Sequence, residues 1–90
     1  MRNAYLISYD PLTIKVDVVV AAAELHSGDR HLIPYNGAII ISSISSSKPE
    51  ILRSLAKSGL SNLLITPIKK GELDGIINSN HWSYIERYIW

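Results

Sequence analysis

Four groups of side chains in this ninety-residue chain have types and spacings that could do chemistry. Asp10 closes the run Ala4–Asp10, read Ala-Tyr-Leu-Ile-Ser-Tyr-Asp, and is followed at once by Pro11. A carboxylate on the rim of a sheet can hold Mg²⁺ together with a substrate phosphate. The same residue can instead cap the helix that follows it. His26, Asp29 and His31 are metal ligands by type, but they straddle a helix end, a turn and a strand start, a spacing that suits a solvated loop better. Ser45, Ser46, Ser47 and Lys48 stand at a helix start, where free N–H groups attract anions; Ser46, Ser47 and Lys48 are the candidates for contacting nucleic acid there. A plain capping box from Ser47 to Glu50 explains the same residues. Tyr9, Tyr35, Trp82 and Tyr84 can stack on bases, or, in a chain without phenylalanine, fill the core.

The elements that must position these groups follow from periodicity. Ala4–Asp10 is short, rich in aromatic and β-branched residues and stopped by proline, so it reads as a strand. Tyr5, Ile7 and Tyr9 fall on one face and Leu6, Ser8 and Asp10 on the other. Both faces carry large apolar groups, which places the strand inside a sheet. Residues Thr13 to His26 read as a helix ending at Ser27-Gly28, with Ile14, Val18, Ala22 and Leu25 as the stripe facing the sheet. Arg30–Tyr35 and Ala38–Ser43 are strands joined by Asn36-Gly37, the signature of a type I′ hairpin. Ser47, Pro49 and Glu50 start a second helix whose apolar face is Ile51, Leu52, Leu55 and Ala56, closed by Gly59. Asn62–Lys69 is a fourth strand. The tail Asn80–Trp90 places Trp82, Ile85, Tyr88 and Ile89 on one helical face, although it also alternates passably as a strand.

The order is βαββαβ plus a tail, an α+β pattern of the ferredoxin-like kind in a single domain, 1–90. Its antiparallel sheet is expected in the order four-one-three-two, with both helices on one face. Pro34 and Pro67 fall in the two strands this order puts at the edges, where a missing N–H costs least. The other face of the sheet, with Leu6 and Ser8, then needs the tail or a partner, and a homodimer is the expectation. In the first helix a second apolar stripe, Val16, Val19, Val20 and Ala23, is flanked by Lys15 and His26 on one side and Asp17 and Glu24 on the other. Exposed valines rimmed by charge suggest a protein interface there, or a surface covered by the tail.

Composition narrows the partners. Nine Lys and Arg against eight Asp and Glu give a net charge of +1, so any nucleic-acid contact must come from a local patch. There are no cysteines, hence no disulfide framework and no thiolate metal site. No apolar run approaches the ~20 residues needed to span a bilayer, and the start Met1-Arg2-Asn3 leads directly into a strand rather than a signal peptide. The expectation is a cytoplasmic protein that meets no membrane.

With these residues in place, the opening Tyr5-Leu6-Ile7-Ser8-Tyr9-Asp10 resembles the first strand of the second CRISPR-associated protein, Cas-two. The whole chain resembles the small SinR-like relatives of that family: Asn3–Asp10 at the start, Ala38–Ser43 followed by the helix at Glu50–Leu55, a fourth strand running into Gly71-Glu72, and a late tryptophan. The resemblance implies a ferredoxin-like homodimer acting in bacterial or phage nucleic-acid and defence biology, as a non-catalytic binding module without a cofactor. It also implies an alternative, a Mg²⁺-dependent endonuclease for RNA or DNA built from Asp10 of both subunits. A third reading is a protein–protein inhibitor, such as a phage anti-defence protein or an antitoxin. The chain departs from the Cas-two pattern in its first helix, where Lys15 is the only lysine and no basic face is formed.

Overall fold

The computed structural model describes residues 2–90. Its elements are β1 (Asn3–Tyr9), α1 (Val16–Ser27), β2 (His31–Tyr35), β3 (Ala38–Ser43), α2 (Lys48–Lys57), β4 (Leu63–Ile68) and α3 (Ser79–Tyr84), which runs on into a π-helical turn, Ile85–Ile89. The fold is α+β, and its four strands form one antiparallel sheet in the order β2-β3-β1-β4. Counted from the other edge, this is β4-β1-β3-β2. β1 and β3 lie inside, and the two proline-bearing strands lie at the edges, with an irregular register between Leu32 and Tyr35 around Pro34.

The turn between β2 and β3 shows what local sequence dictates. Gly37 has φ +97°, and a Cβ there would stand 3.1 Å from the carbonyl oxygen of Tyr9, so only glycine fits. Asn36 does not take a positive φ, and the connection is therefore not the type I′ turn expected from the dipeptide. Helix α2 carries the expected capping box: the Glu50 N–H donates to Ser47 Oγ at 3.4 Å, and the Ser47 N–H donates back to Glu50 Oε1 at 3.4 Å.

Two apolar clusters flank the sheet. On one face Tyr5, Ile7, Tyr9, Ile39 and Ile41 meet Val19, Ala22 and Ala23 of α1 and Ile51 and Leu55 of α2. On the other face Ala4 and Ile40 meet Ile85 and Ile89 of the tail, with Leu6, Leu32, Ile68, Trp82 and Trp90 packed around them. All six residues of β3 are buried because both its faces are covered. At ~1.5–3 kcal/mol for each fully buried large aliphatic side chain, both clusters contribute substantially to stability.

The tail is helical, and it covers the sheet face on which the expectation of a homodimer rested. Leu6 packs against the tail cluster, while Ser8, farther along the strand, remains exposed. The tail is also pinned by polar contacts. Tyr84 OH donates to the Asp29 carbonyl at 3.0 Å, Arg30 Nη1 donates to the Tyr88 carbonyl at 3.2 Å, and the Arg30 guanidinium sits 5.8 Å from the Tyr88 ring centroid.

The reading of α1 is corrected. Val16, Val19, Val20 and Ala23 form its core face rather than an interface: Val19 and Ala23 are fully buried, and Val16 and Val20 pack against the same cluster. The stripe expected to face the sheet is split: Ile14 and Ala22 are buried in the same cluster, whereas Val18 and Leu25 turn outward, Leu25 77% exposed. The physical reason lies at the helix start. The Asp10 carbonyl accepts the N–H groups of Thr13 and Ile14 in a turn, and Lys15 is extended, so the helix begins at Val16 and Ile14 is not on it. The valine stripe then continues to the buried Ser27, whose hydroxyl donates to the Ala23 carbonyl at 3.3 Å. The tail does not cover this stripe either, since it lies across the opposite face of the sheet.

Candidate functional site

Asp10 lies just past the end of β1 and is committed to local structure. Its Oδ1 accepts the Leu12 N–H at 3.0 Å, an Asx-type turn that leads the chain into α1. Among the described residues no three His, Asp or Glu side chains gather in a geometry that holds a metal ion, so His26, Asp29 and His31 do not form a site either. An amide oxygen can accept the same N–H as a carboxylate. Asp10→Asn is therefore expected to leave thermal stability within ~0.5 kcal/mol of wild type, while Asp10→Ala loses about 0.5–1.5 kcal/mol with its hydrogen bond. Equal losses in both variants would show instead that the charge of Asp10 is what the structure uses.

His26 is the centre of a polar hub between the two helices. Its Nδ1 lies 2.7 Å from Ser46 Oγ and its Nε2 lies 2.6 Å from Ser54 Oγ. A neutral imidazole donates from one nitrogen and accepts at the other, so one serine donates to the ring and the other accepts from it. The Ser46 carbonyl accepts from Tyr5 OH at 3.1 Å, and the Ser46 N–H donates to Ser43 Oγ at 3.0 Å. Burial, and then the Glu50 carboxylate, raise the Tyr5 pKa above its ordinary value of 10.0, so this hydroxyl stays a donor at neutral pH. The arrangement brings serines to a histidine, as nucleophilic catalysis requires, but a serine rather than a carboxylate backs the ring. The hub works as a clamp between α1 and α2.

The same contacts occupy the residues expected at an anion site. Ser46 Oγ is engaged by His26, and Ser47 Oγ donates to Glu50 Oε1 at 3.0 Å. Glu50 thus sets a negative charge at the N-terminus of α2, where it repels a phosphate. Of the three, only Lys48 projects freely into solvent. The aromatic residues divide: Tyr9 is core, Trp82 of the tail packs against the cluster on the second sheet face, and Tyr35 is 58% exposed.

A different set of residues builds a groove at one end of the sheet. Because Ala4 pairs with Ile68 across antiparallel β1 and β4, the residues before Ala4 and after Ile68 emerge side by side at one end of the sheet. There Arg2, Lys69 and Lys70 line a groove of about 500 Å³ together with Ala4, Pro67, Ile68 and Trp90. Its volume falls within the ~300–1,000 Å³ range of small-molecule sites. Among the described residues no carboxylate side chain lines it. Arg2 is held in place: its Nε donates to Ser42 Oγ at 2.7 Å and its Nη2 to the Ser42 carbonyl at 3.2 Å. Lys70 has a distant partner, Glu86, at 3.9 Å across exposed surface, an ion pair too solvated to neutralise it. The chemistry on offer is recognition of an anion that carries an apolar or planar body.

Sequence reasoning missed this groove, although the signal was present. The expected strand order makes β1 and β4 antiparallel neighbours, which alone brings Arg2 beside Lys69-Lys70. What periodicity could not give was Trp90, which reaches the groove because the tail crosses the sheet.

No protein-family model, no curated protein and no solved structure matches the chain.

Proposed function

We propose that this chain is a non-catalytic nucleic-acid-binding module of ferredoxin-like fold, related to the Cas-two and SinR-like proteins and acting in bacterial or phage nucleic-acid biology. The observation that carries the reading is the groove at the end of the sheet. It concentrates Arg2, Lys69 and Lys70 in a chain whose net charge is only +1, and no acidic side chain among the described residues lines it. Local concentration of cations beside an aromatic wall is what phosphate binding with base contact requires. The non-catalytic assignment is supported by Asp10, whose carboxylate already serves a turn. The direct test is fluorescence anisotropy with labelled single-stranded oligonucleotides over a salt series, since phosphate contacts release counterions.

A homodimer belongs to the same proposal. With the tail on the sheet, the surface left for it is the uncovered end of that face. There Tyr35, Ser8 and Leu64 are exposed in one row across the sheet with the buried Ala38 between Tyr35 and Ser8, and Leu64 is 76% exposed. Light scattering at micromolar concentration is expected to return twice the chain mass of 10.0 kDa. The mass of a single chain would remove the dimer without touching the binding activity.

A further inference from the structure

Resting on the nucleic-acid reading, the groove also has a shape that selects among nucleic acids. We infer that it takes one unpaired nucleotide, with the phosphate between Arg2, Lys69 and Lys70 and the base against the indole of Trp90, so that the module prefers single strands to duplex. The three cations share the lining with Ala4, Pro67, Ile68 and Trp90, and the lining surface is predominantly apolar. A duplex presents phosphates and groove edges but keeps its base faces stacked inside, so it can meet the cations and gains nothing from the apolar lining. An unpaired nucleotide meets both. Arg2 is preset by its two bonds to the buried Ser42, so little side-chain freedom is lost there on binding. Base stacking on an aromatic side chain is sequence-tolerant, so the selection is for strandedness rather than for sequence, and it amounts to about tenfold per stacked base.

The chain has two tryptophans; both pack against the tail cluster, and Trp90 but not Trp82 lines this groove. In a Trp82→Phe background, therefore, indole fluorescence reports Trp90 alone. The experiment titrates this protein at low salt with adenosine monophosphate, inorganic phosphate, a short mixed-sequence single-stranded DNA and its duplex. The expected result is quenching by the monophosphate and by the single strand, no quenching by inorganic phosphate, and single-strand binding about tenfold tighter than duplex. Trp90→Ala then removes that preference, and Lys69→Ala, which changes only an exposed side chain, weakens quenching by the monophosphate without disturbing the core. DNA binding with silent Trp90 fluorescence, or duplex bound as tightly as single strand, overturns this inference and leaves the binding module standing. Binding of neither DNA removes both.

Discussion

The double variant Ile85→Ala, Ile89→Ala is expected to lose about 4–10 kcal/mol, at 2–5 kcal/mol for each large-to-small change in a core. A chain of ninety residues has only ~5–9 kcal/mol in total, so most of the protein should be unfolded or stripped of its tail at 37 °C. Both side chains are fully buried against Ala4 and Ile40, and nothing else on that face of the sheet replaces them. The polar pins from Arg30 and Tyr84 are exposed and cannot hold the tail alone. Urea denaturation followed by far-ultraviolet circular dichroism measures the loss. Because Trp90 is carried by the tail and lines the groove, the same variant should also lose nucleotide binding. A midpoint within a tenth of wild type would mean that the tail is not docked in solution.

Reversing two charges in the groove should have the largest effect on function. Lys69→Glu, Lys70→Glu is expected to weaken single-strand binding at least ~30-fold at low salt, since a unit charge about 4 Å from a phosphate is worth roughly 1 kcal/mol in water. Stability should change little, because both side chains are exposed and their single ion pair, Lys70 to Glu86, is a long surface contact. The informative comparison is with Lys48→Glu. That lysine stands at the start of α2, apart from the groove and beside the inward-turned serines, and its reversal should leave affinity within about twofold. Equal losses at Lys48 and at Lys69-Lys70 would mean that binding follows overall charge rather than this site.

Much of the architecture is legible in the residues. The capping box from Ser47 to Glu50, the proline-bearing edges and the alternation of β1 each encode one local outcome, and each outcome is seen. Helix α1 was harder because it carries two apolar stripes of equal spacing, and the choice between them depends on where the helix starts. That start is decided by two hydrogen bonds to the Asp10 carbonyl, which no periodicity reveals. The same residue shows how one side chain serves local structure: Asp10 has the type and position of a metal ligand, and its Oδ1 accepts the Leu12 N–H in the turn into α1. Residues 45–48 read as an anion site because a capping box and a phosphate-binding helix start use the same side chains; in the structure Glu50 takes up the Ser47 hydroxyl. The groove escaped notice because its residues come from both ends of the chain and are joined only by sheet pairing and the path of the tail.

The most direct measurement of the central claim is the salt dependence of single-strand affinity, read as the slope of log K against log salt concentration. Three cations in one groove, each displacing counterions from a single strand by about 0.7, predict a slope near −2 per site, falling to about −0.7 in the Lys69→Glu, Lys70→Glu variant. A wild-type slope near zero, or one unchanged by the double reversal, would contradict the assignment of this groove as a phosphate-binding site.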